Sequence, residues 1–239
     1  MNKRLIKCIL LLSMLVYVRA AFSGEAPEYT AQEALKLALL DAQNRDQQLT
    51  EHTSLGFIET LSDGNGNQLT RSFIPTGDNG AGDWQVLQQH GENVFTGPIE
   101  WNMDIKLDCQ ALSKMSLSLA RESETFWFFN LEGGVTAKAA LNNENSQLSL
   151  GDKLVTHLLV AKSKPMIQGL QIFSKGVFKP NSLTRVDRFQ VTIDYAPAWQ
   201  GGPLAVTSME RMLTGSYGWL FSVDEHIRRK LSDFKMYNF

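Results

Sequence analysis

From residue 53 to the end of the chain, apolar and polar side chains alternate with a period of two, in runs broken by Gly-, Asn- and Asp-rich stretches. That period marks strands with one buried face. Residues 55–61 lead through Asp63-Gly64-Asn65-Gly66-Asn67 into 69–74, a hairpin pattern. Residues 84–89 precede a turn at 90–93, and Met115, Leu117 and Leu119 alternate with Ser116, Ser118 and Ala120. The run 125–131 (TFWFFNL) puts large rings on both faces of one strand, so neither face is fully solvated. Further strands are expected at 135–141, 146–150 and 153–162, then long ones at 166–178, 185–195, 204–214 and 219–234. The polar spacers are too short for parallel crossovers, so neighbouring strands pair antiparallel.

One segment breaks the rhythm. Ala34, Leu35, Ala38, Leu39 and Ala42 recur at helical spacing, and Thr30 with Glu33 forms a capping box ahead of them. A helix is expected over about residues 31–47, packing its apolar stripe on the sheet. One helix and many long antiparallel strands give the expected fold: mainly β, a strongly curved antiparallel half-barrel with one N-terminal amphipathic helix packed on it. A closed barrel is the alternative. No linker, repeat or low-complexity run divides the chain, so residues 29–239 read as a single domain.

Residues 1–20 read as a cleavable signal peptide. Lys3, Arg4 and Lys7 precede an apolar run at 8–18, and small residues follow. The run is shorter than the roughly 20 residues a membrane span needs. Residues 21–28 read as a flexible lead-in. The expected location is the bacterial periplasm, with no transmembrane segment once the signal is removed. The whole chain carries 23 basic and 25 acidic side chains; four basic ones and no acidic one lie in residues 1–20, leaving 19 against 25. No basic patch remains, so nucleic acid is not an expected partner. Of two cysteines, Cys8 leaves with the signal. Cys109 then has no partner for an intrachain disulfide and reads as a small buried hydrophobe.

The acidic turn at 63–67 resembles the start of a calcium loop, but the sixth and twelfth positions hold Gln68 and Ile74 where Gly and Glu belong. It reads as a hairpin turn. His52, His90, His157 and His226 lack zinc-ligand spacing. His90 reads as a turn residue and His157 as a satisfied face position within a strand. Nucleophile-elbow, phosphate-loop and dinucleotide-binding motifs are absent. The chain is therefore expected to be no enzyme, with no cofactor, no metal and no catalytic residue. What stands out is aromatic content. Phe126, Phe128, Phe173, Phe189, Trp219 and Phe221 are the candidate lining of a concave apolar face.

Signal, one amphipathic helix and long antiparallel strands together resemble the LolA/LolB-like superfamily of periplasmic lipoprotein carriers and lipoprotein-sorting proteins. Residues 71–75 (RSFIP) with 84–91 (WQVLQQHG), and 203–215 with 228–239 including Leu231-Ser232-Asp233-Phe234, are similar to stretches of uncharacterised exported bacterial proteins of this layout. The resemblance implies an apolar concavity sheltering acyl chains, with a lipid or lipoprotein as partner. The expected function is an exported periplasmic binding protein that shelters a lipid, acyl chain or apolar polypeptide segment. The alternatives are a structural or interaction protein docking an envelope partner, and a hydrolase with a polar cleft in which two or more of His90, His157, Asp194 and Glu210 converge.

Overall fold

The computed structural model describes residues 29–47, 52–77, 81–92, 107, 109–132, 153–218 and 220–239. The expected signal peptide, the lead-in and the expected strands at 135–141 and 146–150 lie outside the described residues. Helix α1 (Ala31–Asp46) begins one residue after Thr30. Three strands follow: β1 (Thr53–Asp63), β2 (Gln68–Pro75) and β3 (Gly82–His90). A short helix α2 (Cys109–Ser113) precedes β4 (Ser116–Glu122), β5 (Phe126–Glu132) and β6 (Leu154–Ala161). The chain ends with β7 (Ile167–Ser174), β8 (Thr184–Pro197), β9 (Leu204–Tyr217) and β10 (Phe221–Asn238).

All pairings are antiparallel, and the strand order is β3-β2-β1-β10-β9-β8-β7-β6-β5-β4. Two meanders, β1–β3 and β4–β10, are joined where the first strand pairs with the last. The sheet stays open, a half-barrel rather than a closed one. Register shifts at Gly56/Ile58, Thr70/Arg71, Val186/Arg188 and Asp194/Tyr195 insert bulges. Each bends its strand and adds twist, which curves a sheet of this width.

The two faces differ sharply. On one, Leu158, Ile172, Val191, Ile193 and Met209 are 0% exposed. This is the helix face: α1 lies over β6, β7 and β9. Ala34, Ala38 and Ala42 form its buried stripe with Leu35, and such small side chains let the helix approach closely. Leu37 and Leu40 point outward. The Arg45 guanidinium bonds Asp41 at 2.7 Å and donates to the Gly202 carbonyl at 3.3 Å, tying the helix end to the β8–β9 turn.

Among the described residues, β3 and β4 are the two edges of the sheet. Ahead of β4, Leu107, Cys109 and Leu112 are buried, with the Leu107 N–H donating to the Leu204 carbonyl at 3.4 Å. Cys109 is buried, as its sequence setting implied. The sequence signalled no helix here, because five residues are too few to show a helical period. No helix of the described residues is long and apolar enough to cross a membrane.

The burial pattern predicts how substitutions divide. Met209→Ala, at a wholly buried position, is expected to cost about 3 kcal/mol. Val86→Ala on exposed β3 should stay within about 0.5 kcal/mol. Urea denaturation measures both, and equal costs would contradict this placement of the core.

Candidate functional site

The six rings singled out from the sequence do not share one surface. Phe126 and Phe128 on β5 and Phe173 on β7 lie on the face opposite α1, because Phe128 pairs with Leu159 and Phe173 with Val155. Phe189, one residue from the Phe173 partner Gln190, lies on the helix face and is 2% exposed. Phe221 opens β10 and is 65% exposed. Trp219 lies outside the described residues.

Around the three that do meet, ring centroids stand 6.4 Å apart for Phe126–Phe128, 6.2 Å for Phe128–His157 and 5.1 Å for His157–Phe173. The Arg121 guanidinium sits 3.6 Å above the Phe128 ring, a cation–π contact. His157 is buried in this stack, and its Nδ1 has no hydrogen-bond partner. The expectation of a satisfied strand histidine is thus half right. Period two placed it on a strand face, but apolar and aromatic neighbours leave that nitrogen unbonded. Burial, then the nearby charge of Arg121, pushes its pKa below the usual imidazole value.

The four groups proposed for a dispersed hydrolase spread over four strands. Asp194 and Glu210 are diagonal neighbours on β8 and β9, and His157 lies on β6. His90 ends β3, paired with Gln68, rather than sitting in a turn. Glu210 is already engaged: its Oε1 accepts from Arg228 at 2.8 Å and lies 2.6 Å from His226 Nε2. Hydrogen bonds from Arg228 and then His226 hold its carboxyl below the usual range, against the pull of burial. The acidic turn is a turn. Asp63 Oδ1 accepts from the Asn65 and Asn67 N–H groups, both at 2.9 Å, and Oδ2 from the Asn67 side chain at 2.8 Å. Among the described residues, no group of three or more His, Cys, Asp or Glu is placed to hold a metal ion.

A second cluster, which the sequence reading missed, lies on the helix face beyond α1. Glu59 on β1 is 1% exposed. Its Oε2 accepts from Arg71 Nε of β2 at 2.5 Å, and its Oε1 accepts from Arg229 Nε of β10. A carboxylate in so dry a place requires such partners. Arg71 also lies 3.9 Å above the Trp84 ring. Phe73 stands 5.0 Å from Trp84 and 5.2 Å from Phe57, and Phe234 lies 6.3 Å from Phe57. Gly82 makes room for this stack, since a Cβ there would sit 2.5 Å from the Phe73 ring. On the same face, Arg211 pairs across the ladder with Ile227, two residues from Arg229, and bonds Glu225. Burial lowers the Arg211 pKa, yet a guanidinium keeps its proton. Asp63, which pairs with Ile227, lies on this face too, so three arginines stand against three carboxylates. Trp84 and Val86, 42% and 60% exposed, open it to solvent.

A signal for this cluster was present. Phe57-x-Glu59-x-Leu61 and Leu69-x-Arg71-x-Phe73 place opposite charges in phase with buried apolar residues on consecutive strands. A charge on the apolar side of a strand calls for a buried partner.

The depressed His157 pKa predicts a pH dependence. Unfolded chains bind this proton near the ordinary value of 6.5, while the folded state resists it. Its contribution is therefore intact above about pH 6.5 and lost as pH falls below it, where the unfolded state holds more protons. Urea midpoints at several pH values from about 7 to 5 should fall in the native chain and fall less in His157→Leu. Equal slopes would contradict the buried, neutral imidazole.

Comparison of the chain with protein-family models, curated proteins and solved structures finds no match, so the site is read from its own geometry.

Proposed function

We propose that this chain is a non-enzymatic binding protein of the bacterial envelope, exported to the periplasm, that shelters the apolar part of an amphiphile such as a lipid acyl chain. The observation that carries the reading is the solvent-open cluster of Phe73, Trp84, Val86 and Phe234 beside the arginine-rich array on the helix face. Rings and aliphatic surface suit an acyl chain, and guanidinium donors suit an anionic head group. The layout resemblance to lipoprotein carriers points the same way. Over β6–β9 the helix face is filled by α1, so binding there would require the helix to move. The patch over β1–β3 and β10 is the better location.

A second reading, an interaction protein of the envelope, draws on the sheet edges. Neither β3 nor β4 has a second neighbour among the described residues. A bare edge accepts an extended peptide.

Protein isolated from the periplasm, extracted with organic solvent and analysed by mass spectrometry, should yield a stoichiometric lipid or fatty acid. Trp84→Ala combined with Arg211→Gln should lower the yield about tenfold, the loss expected when an aromatic contact and a charge contact both vanish. Lipid-free protein, with one stoichiometric partner protein crosslinked at β3, would replace this reading with the second.

A further inference from the structure

One end of the sheet is built unlike the rest of the surface. Of the six most exposed large apolar side chains among the described residues, five gather there: Val177, Leu183, Tyr217, Leu220 and Phe221, each between 52% and 65% exposed. They come from two segments, the β7–β8 loop and the β9–β10 hairpin. The Gly218 N–H donates to the Leu183 carbonyl at 2.6 Å, and Thr184 pairs with Tyr217, which pairs with Phe221. Gly218 adopts φ +61°, a turn conformation open to glycine. A bridge between Phe178 and Val186 braces the base of the loop. Backbone bonds and ladder pairing therefore hold the two segments that carry these five side chains together as one tip.

The charge around this tip is also distinct. Lys175, Lys179, Arg185 and Arg188 are all exposed there, against Asp187 and Asp224. Asp187 is engaged by Arg185 at 2.7 Å. This end is thus net positive in a chain whose formal net charge is −2. Apolar patches of this kind on a soluble surface mark sites of association. A protruding apolar tip ringed by basic side chains has the chemistry of a bilayer surface. Aliphatic and aromatic side chains enter the boundary between head groups and acyl chains, the Tyr hydroxyl stays at the wet level, and Lys and Arg meet anionic phosphates.

We infer that the β7–β8 loop and the β9–β10 hairpin together form a membrane-docking tip that seats the protein peripherally on an anionic phospholipid bilayer. The inference stands apart from cargo binding, since the tip shares no residue with the Trp84 patch: Phe221 opens β10, thirteen positions before Phe234.

The test is vesicle flotation of protein isolated from the periplasm, its leader removed by the cell and its bound lipid stripped beforehand. Vesicles of phosphatidylethanolamine are compared with and without phosphatidylglycerol, at low and high ionic strength. The native chain should float with phosphatidylglycerol vesicles and do so less at high salt. Leu220→Ser/Phe221→Ser, changing only exposed side chains, should keep the native circular dichroism and urea midpoint while lowering partitioning about tenfold or more. Lys175→Glu/Lys179→Glu should abolish the preference for phosphatidylglycerol. Folded native protein that fails to float, or floats equally well with the serine variant, would overturn the inference. So would sedimentation showing self-association through the tip that the serine variant abolishes, with no vesicle binding in either. Lipid extraction reports cargo binding separately, so failure of one reading does not imply failure of the other.

Discussion

Glu59 holds the architecture together. Its carboxylate lies almost wholly out of water on β1, and each oxygen takes a guanidinium from the strand on either side, Arg71 of β2 and Arg229 of β10. β1 and β10 are the only sheet neighbours that are not consecutive in the order of the described strands, and their pairing joins the two meanders. A meander folds from local turns, whereas this junction brings together residues 170 positions apart. Apolar alternation alone would tolerate a slip of two residues, because that returns the same face inward. A buried carboxylate between two arginines does not, since a slip of two strands the charge without partners. The ion triplet therefore sets register as well as adhesion.

That constraint organises the helix face into halves. Over β6–β9, α1 and its alanine stripe complete a dry core, and the sheet is finished by the protein's own side chains. Over β1–β3 and β10, the ion triplet and the Arg211–Glu225 pair interrupt the apolar surface, and the aromatic stack built on Phe57 reaches solvent at Trp84. The residues that fix the fold thus also shape the surface proposed to bind. On the opposite face, the Arg121–Phe128–His157–Phe173 stack is sealed enough to shift an imidazole pKa, which suits packing better than exchange with a ligand.

Much of the architecture could be read directly from the sequence, because it rests on local periodicity. The helix from Ala31, the hairpin at Asp63–Asn67 and the two-faced strand around Trp127 follow from spacing and turn chemistry within a few residues. What was hidden depends on register between distant strands. Alternation says that Phe173 and Phe189 each have a face, but only the pairing of Phe173 with Gln190 shows that the faces differ. The in-phase charges Glu59 and Arg71 were visible as anomalies, while their third partner, Arg229, could be found only once β10 lay beside β1. The His90 misplacement has the same origin, since a Gly91 turn signal cannot show that pairing with Gln68 extends β3 to its last residue.

The most direct test of this account compares Glu59→Gln with the triple replacement Glu59→Leu/Arg71→Met/Arg229→Met, by urea unfolding and amide hydrogen exchange. If the triplet fixes the junction, Glu59→Gln loses about 3 kcal/mol and protection drops along β1 and β10, whereas the matched apolar replacement recovers most of the stability. A Glu59→Gln protein within about 0.5 kcal/mol of the native chain, with β1 and β10 protected as before, would contradict it.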